Sequence, residues 1–335
     1  MKEALLYNKL PGGEVLCSLC SHRCRIQNGD SGICGVRVNK GGALYTLAYA
    51  KAVALNVDPI EKKPLYHYLP GSLSFSIAAA GCNFRCGFCQ NWEISQAKPH
   101  EDDVLGREVM PEEIISAARK NNCASISYTY TEPTIFFEYA LDTARLAHKA
   151  GLGNVFVTNG YMTAEAISQI APFLDAANID LKFFSDDAYR KHCGGLLQPV
   201  CASIETMKKA GIWVEVTTLV IPGENDSDDE LTAIADFLAS IDRDIPWHIS
   251  RFHPDYKLIK ATYTPPDTLS KAERIGKERG LRYVYCGNIA GWDTDTYCSS
   301  CGRSVISRKG MSVLENRLQK GVCAFCGEKT AGVFL

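Results

Sequence analysis

Leu73-Ser-Phe-Ser-Ile-Ala-Ala-Ala-Gly81-Cys82-Asn-Phe-Arg-Cys86-Gly-Phe-Cys89 decides the architecture of this chain. An apolar, strand-like run ends at a glycine free to turn, and three cysteines follow on one short loop. Three thiolates so spaced hold three irons of a 4Fe-4S cube and leave the fourth iron open, as catalytic zinc sites keep one position free. A zinc site, or a four-cysteine cluster with its last ligand elsewhere, is the alternative. Downstream, strand-like runs recur at Ser125-Tyr130, Val155-Thr158, Ala177-Leu181, Trp213-Val220, Trp247-Phe252 and Tyr283-Cys286. Stretches with helical apolar spacing lie between them, at Pro111-Asn121, Thr134-Ala150, Ala164-Leu174 and Asp228-Ile241. This alternation predicts an α/β fold of parallel strands with crossover helices, a barrel or an open sheet, with chemistry at the C-terminal strand ends.

The 335 residues leave room for one large domain with attachments, or for two ordinary domains. A balance of 46% hydrophobic against 22% charged residues excludes disordered, collagen-like and coiled-coil classes. Lys and Arg number 36 against 38 Asp and Glu, a formal charge of -2, so the bulk balance points neither to nucleic acid nor to an acidic membrane surface. The longest apolar candidate, Ala43 to Val57, is broken by Lys51 and falls short of the roughly 20 residues of a membrane helix. Met1-Lys-Glu-Ala-Leu-Leu-Tyr7 lacks the pattern of a secretory signal, and a cytoplasmic location with no membrane partner is expected.

Fifteen cysteines without a secretory signal argue for metal rather than disulfides. Beyond the central three, Cys298, Cys301, Cys323 and Cys326 form the two knuckles of a zinc ribbon; rubredoxin-type iron uses the same knuckles, and zinc is favoured. Cys17, Cys20, Cys24 and Cys34 suit zinc or a second, saturated Fe-S cluster, with zinc again preferred and His22 an alternative ligand. Residues 1–45 carry too few apolar side chains for a core of their own, so metal is expected to organise them. Cys123, Cys193, Cys201 and Cys286 read as buried small hydrophobes. The expected division is an N-terminal four-cysteine metal-binding module and lead-in over 1–70, an α/β core over 71–290 and a ribbon-like module over 291–335.

Cys82, Cys86 and Cys89, with Phe88 before the last, resemble the signature of the radical S-adenosylmethionine (SAM) superfamily. The chain looks closest to the pyruvate formate-lyase activating enzymes and, through Asp58-Pro-Ile-Glu-Lys-Lys-Pro-Leu-Tyr-His-Tyr-Leu-Pro-Gly71, to the radical SAM member of the AmmeMemoRadiSam system. The resemblance implies a partial (β/α) barrel with a cysteine-rich module on either flank. It implies a 4Fe-4S cluster on the three cysteines, and SAM bound at the open iron and cleaved by one electron to a 5′-deoxyadenosyl radical. Carried over by position, Glu132 in Thr129-Tyr-Thr-Glu132-Pro133 meets the SAM ammonium, with Tyr130 and Thr131 in place of two family glycines. Thr158 and Asn159 border SAM, Lys182 reaches its carboxylate, and Asp180 belongs to a cation site, although Val157 stands where the family has a further Asp. Thr218 to Gly223 match the adenosine pocket, and His253 helps hold SAM.

The expected function is that of a radical SAM oxidoreductase acting on a protein or small-molecule substrate with an external one-electron donor. Glycyl-radical-enzyme activation is the narrower alternative. The competitor from another class is a non-catalytic Fe-S or zinc protein for electron transfer or assembly, which needs four cysteines at each site where the centre has three. Nucleic acid is not an expected partner, because no basic face with interleaved aromatics is present. Both flanking modules lie outside the barrel pattern, so the barrel is expected to fold without the C-terminal one.

Overall fold

The computed structural model describes residues 1–97 and 105–334. Eight strands form one sheet whose spatial order follows chain order: β1 (Ala54–Pro59), β2 (Leu73–Ala78), β3 (Ser125–Tyr128), β4 (Gly153–Thr158), β5 (Ala176–Asp180), β6 (Trp213–Val220), β7 (Trp247–Arg251) and β8 (Val284–Gly287). From β2 onward every neighbour is parallel, whereas β1 pairs antiparallel with β2. Among the described residues β8 does not pair with β1, so the barrel is partial. Helices at Pro111–Lys120, Phe137–Lys149, Leu197–Lys209, Asp228–Ile241 and Pro266–Glu278 make crossovers between successive strands. Asp228–Ile241 illustrates the local logic. The Ser227 side chain accepts from the Glu230 amide, three acidic residues occupy the first turn, and Leu231, Ile234, Ala235 and Leu238 are buried at helical spacing.

Two features lay outside the sequence reading. Strand β1 falls within the lead-in drawn to residue 70, so the sheet begins before the cysteine-bearing segment. The first 45 residues have apolar contacts as well as cysteines, for Val15, Leu19, Ile26, Val36 and Leu44 join the same core cluster as the barrel. Burial against the barrel supplies what that segment lacks alone.

The barrel interior is polar at alternate positions. Ser74, Ser76, Ser127, Asn178, Glu215, Thr217 and His248 are all buried. Into this interior comes the chain after the turn Ile60–Lys62. The Glu215 carboxylate accepts from the Tyr66 amide at 3.0 Å and the His67 amide at 2.8 Å, and the Asn178 side chain donates to the Pro64 carbonyl at 2.8 Å. Leu65, Tyr68 and Leu69 pack on Val155 and Ala176, near the starts of β4 and β5, so this segment plugs the N-terminal end of the barrel. The fit is close enough that a Cβ on Gly153 would stand 2.0 Å from the Tyr68 hydroxyl oxygen.

The C-terminal residues strap onto that plug. Leu69 donates its amide to the Val333 carbonyl at 2.8 Å, Val333 donates to the His67 carbonyl at 2.7 Å, and His67 Nδ1 meets the Ala331 carbonyl at 2.7 Å. Burial pushes the His67 imidazole down from about 6.5 to about 4, against the pull of Glu215 and the Ala331 carbonyl. On acidification the unfolded chain therefore takes the proton first. Stability from this group is full above about pH 6.5 and lost progressively toward about pH 4, a range worth roughly 3 kcal/mol. Denaturant unfolding at pH 7.5 and pH 5 is expected to show His67→Gln destabilised at the higher pH, with the gap from the natural protein narrowing at the lower.

Candidate functional site

The three-cysteine loop leaves the C-terminal end of β2 and is held from several directions. Asn83 accepts a hydrogen bond from the Asn159 side chain at 2.7 Å, and its carbonyl meets His22 Nε2 at 2.8 Å. The Arg85 amide donates to the Cys193 carbonyl at 2.8 Å, and the Lys257 amide to the Gly87 carbonyl at 3.0 Å. Phe84 lies so near Gly195 that a Cβ there would meet its ring at 2.5 Å. A hydrogen bond to Cys193, then burial, raises the Cys86 thiol well above its ordinary value, and burial with the nearby Glu132 does the same for Cys82. Thiols so placed become thiolates only when a cation compensates them, which is the behaviour of a metal-cluster ligand set. Cys193, expected as filler, is thus a neighbour of Cys86. Asn83 Nδ2 is buried with no partner.

All three cysteines line a cavity of about 730 Å³, a size suited to a cofactor together with a small ligand. Residues at successive strand ends join them: Thr129 to Glu132 after β3, Thr158 and Asn159 at the end of β4, Asp180 and Lys182 at β5, Leu219 in β6, Ser250 in β7 and Asn288 after β8. Phe88 is in the same wall, packed edge-on against Phe183 with ring centres 5.9 Å apart. Lys182 Nζ lies 2.7 Å from Asp180 Oδ2. Burial works against its charge, but Asp180 and the thiols of Cys86 and Cys193 hold its pKa well above the usual amine range. Glu132 is already engaged, with Oε1 accepting from the Thr134 amide at 3.0 Å and the Thr158 hydroxyl at 2.7 Å, and Oε2 from the Asn159 amide at 2.7 Å. Burial nonetheless raises its pKa. His253 sits beside this wall, its Nε2 3.0 Å from the Gln90 side-chain nitrogen, while His248 lines the cavity itself.

Sequence reasoning left several wall residues without a role. Tyr130 keeps a left-handed backbone, φ +66°, and its hydroxyl is tied to Asp58 and to Asn56. Asp58 also holds Lys62 at 2.8 Å and Lys63 at 2.7 Å. Burial brings Lys63 down to about 8 even beside that carboxylate. Glu61, Lys62, Lys63, Tyr66 and Tyr285 all reach the cavity. The signal was present in the quoted 58–71 phrase, but nothing in its spacing says that it folds back into a barrel.

The C-terminal segment, drawn from the sequence as a module of its own, also reaches the cavity. Thr294, Gly310 and Met311 of the C-terminal segment line the same cavity. Arg308, in the hairpin of Ser304–Lys309 and Ser312–Asn316, donates to the Tyr66 carbonyl at 2.8 Å and lies 3.8 Å from Glu61, with both side chains fully buried. At the ribbon, Cys298 and Cys326 sulfurs are 3.6 Å apart, Cys301 and Cys323 sulfurs 3.8 Å, and all four lie within 4.8 Å of one another. Four thiolates at about 2.3 Å from one tetrahedral ion would stand about 3.8 Å apart. This group has the geometry of a four-thiolate metal site.

Comparison with known proteins bears on the central site. The family model of the Radical SAM superfamily matches residues 76–237, the stretch that carries the cysteine loop and the ends of β3 to β6. The chain belongs to the radical SAM superfamily. It is 44% identical over 333 residues to the uncharacterized protein MJ0808 of Methanocaldococcus jannaschii, covering 98% of both chains. It is 25% identical over 142 residues to the benzylsuccinate synthase activating enzyme of Thauera aromatica, covering 40% of this chain and 43% of that one. The crystal structure of a radical SAM methyltransferase from Sphaerobacter thermophilus shares the fold, with a TM-score of 0.51 at 18% identity over 66% of this chain and 68% of that chain. Membership makes this radical SAM protein an enzyme and implies a 4Fe-4S cluster and SAM. The buried thiols, the unpartnered Asn83 Nδ2 and the adjoining cavity fit those groups. Among the described residues no helix is long and apolar enough to cross a membrane.

Because Arg308 is the cation nearest buried Glu61, Arg308→Met leaves an uncompensated acid in the interior. Denaturant unfolding is expected to show a loss of about 3–5 kcal/mol, and a chain ending at Gly291 is expected to unfold at lower temperature than the natural protein.

Proposed function

We propose that Cys82, Cys86 and Cys89 hold the 4Fe-4S cluster and that the enzyme removes a hydrogen atom from a protein or small-molecule substrate in the 730 Å³ cavity. The observation that carries this reading is the convergence of these cysteines with polar residues from successive strand ends on one cavity wall. When bound, the cluster and SAM supply the electron, drawn from an external donor, and the 5′-deoxyadenosyl radical. Lys182 offers its ammonium to the SAM carboxylate, with Asp180 fixing the amine at 2.7 Å. Glu132 has one free acceptor direction on Oε2 for the SAM ammonium, while its other bonds lock the ends of β3 and β4 together. Asn159 acts by holding the cysteine loop through Asn83. His253 acts by orienting Gln90. The ribbon site of Cys298, Cys301, Cys323 and Cys326 takes zinc.

The name of the Thauera aromatica relative favours a second reading, activation of a glycyl-radical enzyme. In that case the substrate is a glycine of a partner protein, and mixing the two proteins anaerobically with SAM produces a glycyl-radical signal in electron paramagnetic resonance.

Anaerobic incubation of the cluster-loaded natural protein with SAM and a strong reductant is expected to yield 5′-deoxyadenosine, and Cys86→Ala to yield none. Deoxyadenosine from Cys86→Ala at the natural rate would sink the assignment. Lys182→Ala is expected to lose one charge-assisted bond of about 1.5–3 kcal/mol, a tenfold to hundredfold fall in SAM affinity by titration at unchanged central-cluster iron.

A further inference from the structure

The four N-terminal cysteines differ in kind from the four at the ribbon. Among the described residues, Cys298, Cys301, Cys323 and Cys326 form the group whose sulfurs all fall within 4.8 Å of one another, which is the packing of thiolates around a single ion. Cys17, Cys20, Cys24 and Cys34 form no such group. All four line one narrow shared cavity. Thiolates that each bind a different iron of a cube stand farther apart than thiolates that share one ion.

A second observation points to a ligand in that space. Arg37 lines the cavity, its side chain is almost wholly buried, and its Nε has no hydrogen-bond partner even though its other nitrogens pair with Glu138 and the Leu5 carbonyl. A buried donor left unpaired is costly, and a ligand that accepts from it removes that cost. Metal-bound sulfur, thiolate or sulfide, supplies acceptors for such a donor, so the unpaired nitrogen points to a ligand in this space, and the spacing of the sulfurs is what separates a cube from a single ion.

From these observations we propose that Cys17, Cys20, Cys24 and Cys34 hold a second iron-sulfur cluster of the four-iron type and that the expected zinc is confined to the ribbon. The site abuts the central loop. His22, between Cys20 and Cys24 in sequence, meets the Asn83 carbonyl at 2.8 Å, and a Cβ on Gly81 would stand 3.1 Å from the Cys34 carbonyl oxygen. Arg85 donates to the Ile33 carbonyl. The two cysteine sets therefore share a boundary one loop thick. This inference concerns the N-terminal residues and holds whatever the substrate is.

The test is metal analysis with ⁵⁷Fe Mössbauer spectroscopy on the full chain, reconstituted anaerobically with iron and sulfide. The natural protein is expected to hold about eight irons and about one zinc, the sum of two cubes and the ribbon ion. The triple variant Cys82→Ala/Cys86→Ala/Cys89→Ala should keep about four irons in a cluster whose spectrum does not respond to SAM, and Cys20→Ala/Cys34→Ala should lose that cluster. Retained ribbon zinc reports that each variant is folded. If a variant loses its zinc, the natural protein decides alone, because two clusters, of which SAM perturbs one, support the proposal. About four irons with two zincs, or an empty N-terminal set, overturns it.

Discussion

Glu215 is a fully buried carboxylate, and the rest of the molecule is arranged around keeping it charged. Four donors converge on it: the amides of Tyr66 and His67, Trp213 Nε1 at 2.9 Å and His248 Nε2 at 2.6 Å. Burial alone would push its pKa up, but His248 and the other donors pull it below the usual carboxylate range. An ion in a barrel interior costs several kcal/mol unless its lone pairs are met, so the plug segment cannot leave without exposing that cost. Since Tyr66 and His67 donate through the backbone, this is a demand on chain path rather than on side-chain identity. The path then places Glu61 for Arg308 and Lys63 for Asp58, so one carboxylate fixes both the docking of the C-terminal hairpin and the charge along one wall of the cavity.

The cavity lies between parts of the chain that are far apart in sequence. Strand ends supply one wall, the cysteine loop another, the plug a third, and the hairpin turn at Gly310 and Met311 a fourth. With the N-terminal end of the barrel filled, binding and chemistry are confined to the opposite end, where open α/β sheets and barrels habitually place them. Ties such as Glu132 to Asn159, and Asn159 to Asn83, convert the ends of β3 and β4 into a rigid seat for the loop. Residues read from the sequence as ligand contacts thus hold the site together as well as line it.

Much of this was legible in advance. Strands β2 to β8 were recognised because buried parallel strands read as apolar runs between helical stretches, and the Cys82 to Cys89 loop because its spacing follows directly on such a run. Misplaced ends have local causes. The helix expected from Thr134 begins as a tight turn, Pro133–Phe136, because Glu132 caps it through the Thr134 amide. Strand β1 was missed because Ala54-Leu-Asn-Val-Asp-Pro59 is an exposed-edge pattern ending in proline, which gives little periodic signal. The plug was missed for a different reason. Glu215 sits in a strand that reads as an ordinary buried strand, and only the fold reveals that its carboxylate is met by the amides of residues 66 and 67 and by His248 of the next strand. Long-range polar pairing of this kind leaves no period to read.

The strap between residues 67 to 69 and 331 to 333 also bears on how the chain is made. Its hydrogen-bonded partners are 264 positions apart, so at about 5–20 residues per second the plug waits on the order of tens of seconds of synthesis before its cover emerges. Tyr66 waits almost as long for Tyr283 and Tyr285, and the three wait for Ala331 to pack against them. The nascent barrel is therefore a species with an open flank, whose apolar surface stays exposed until the last strap closes.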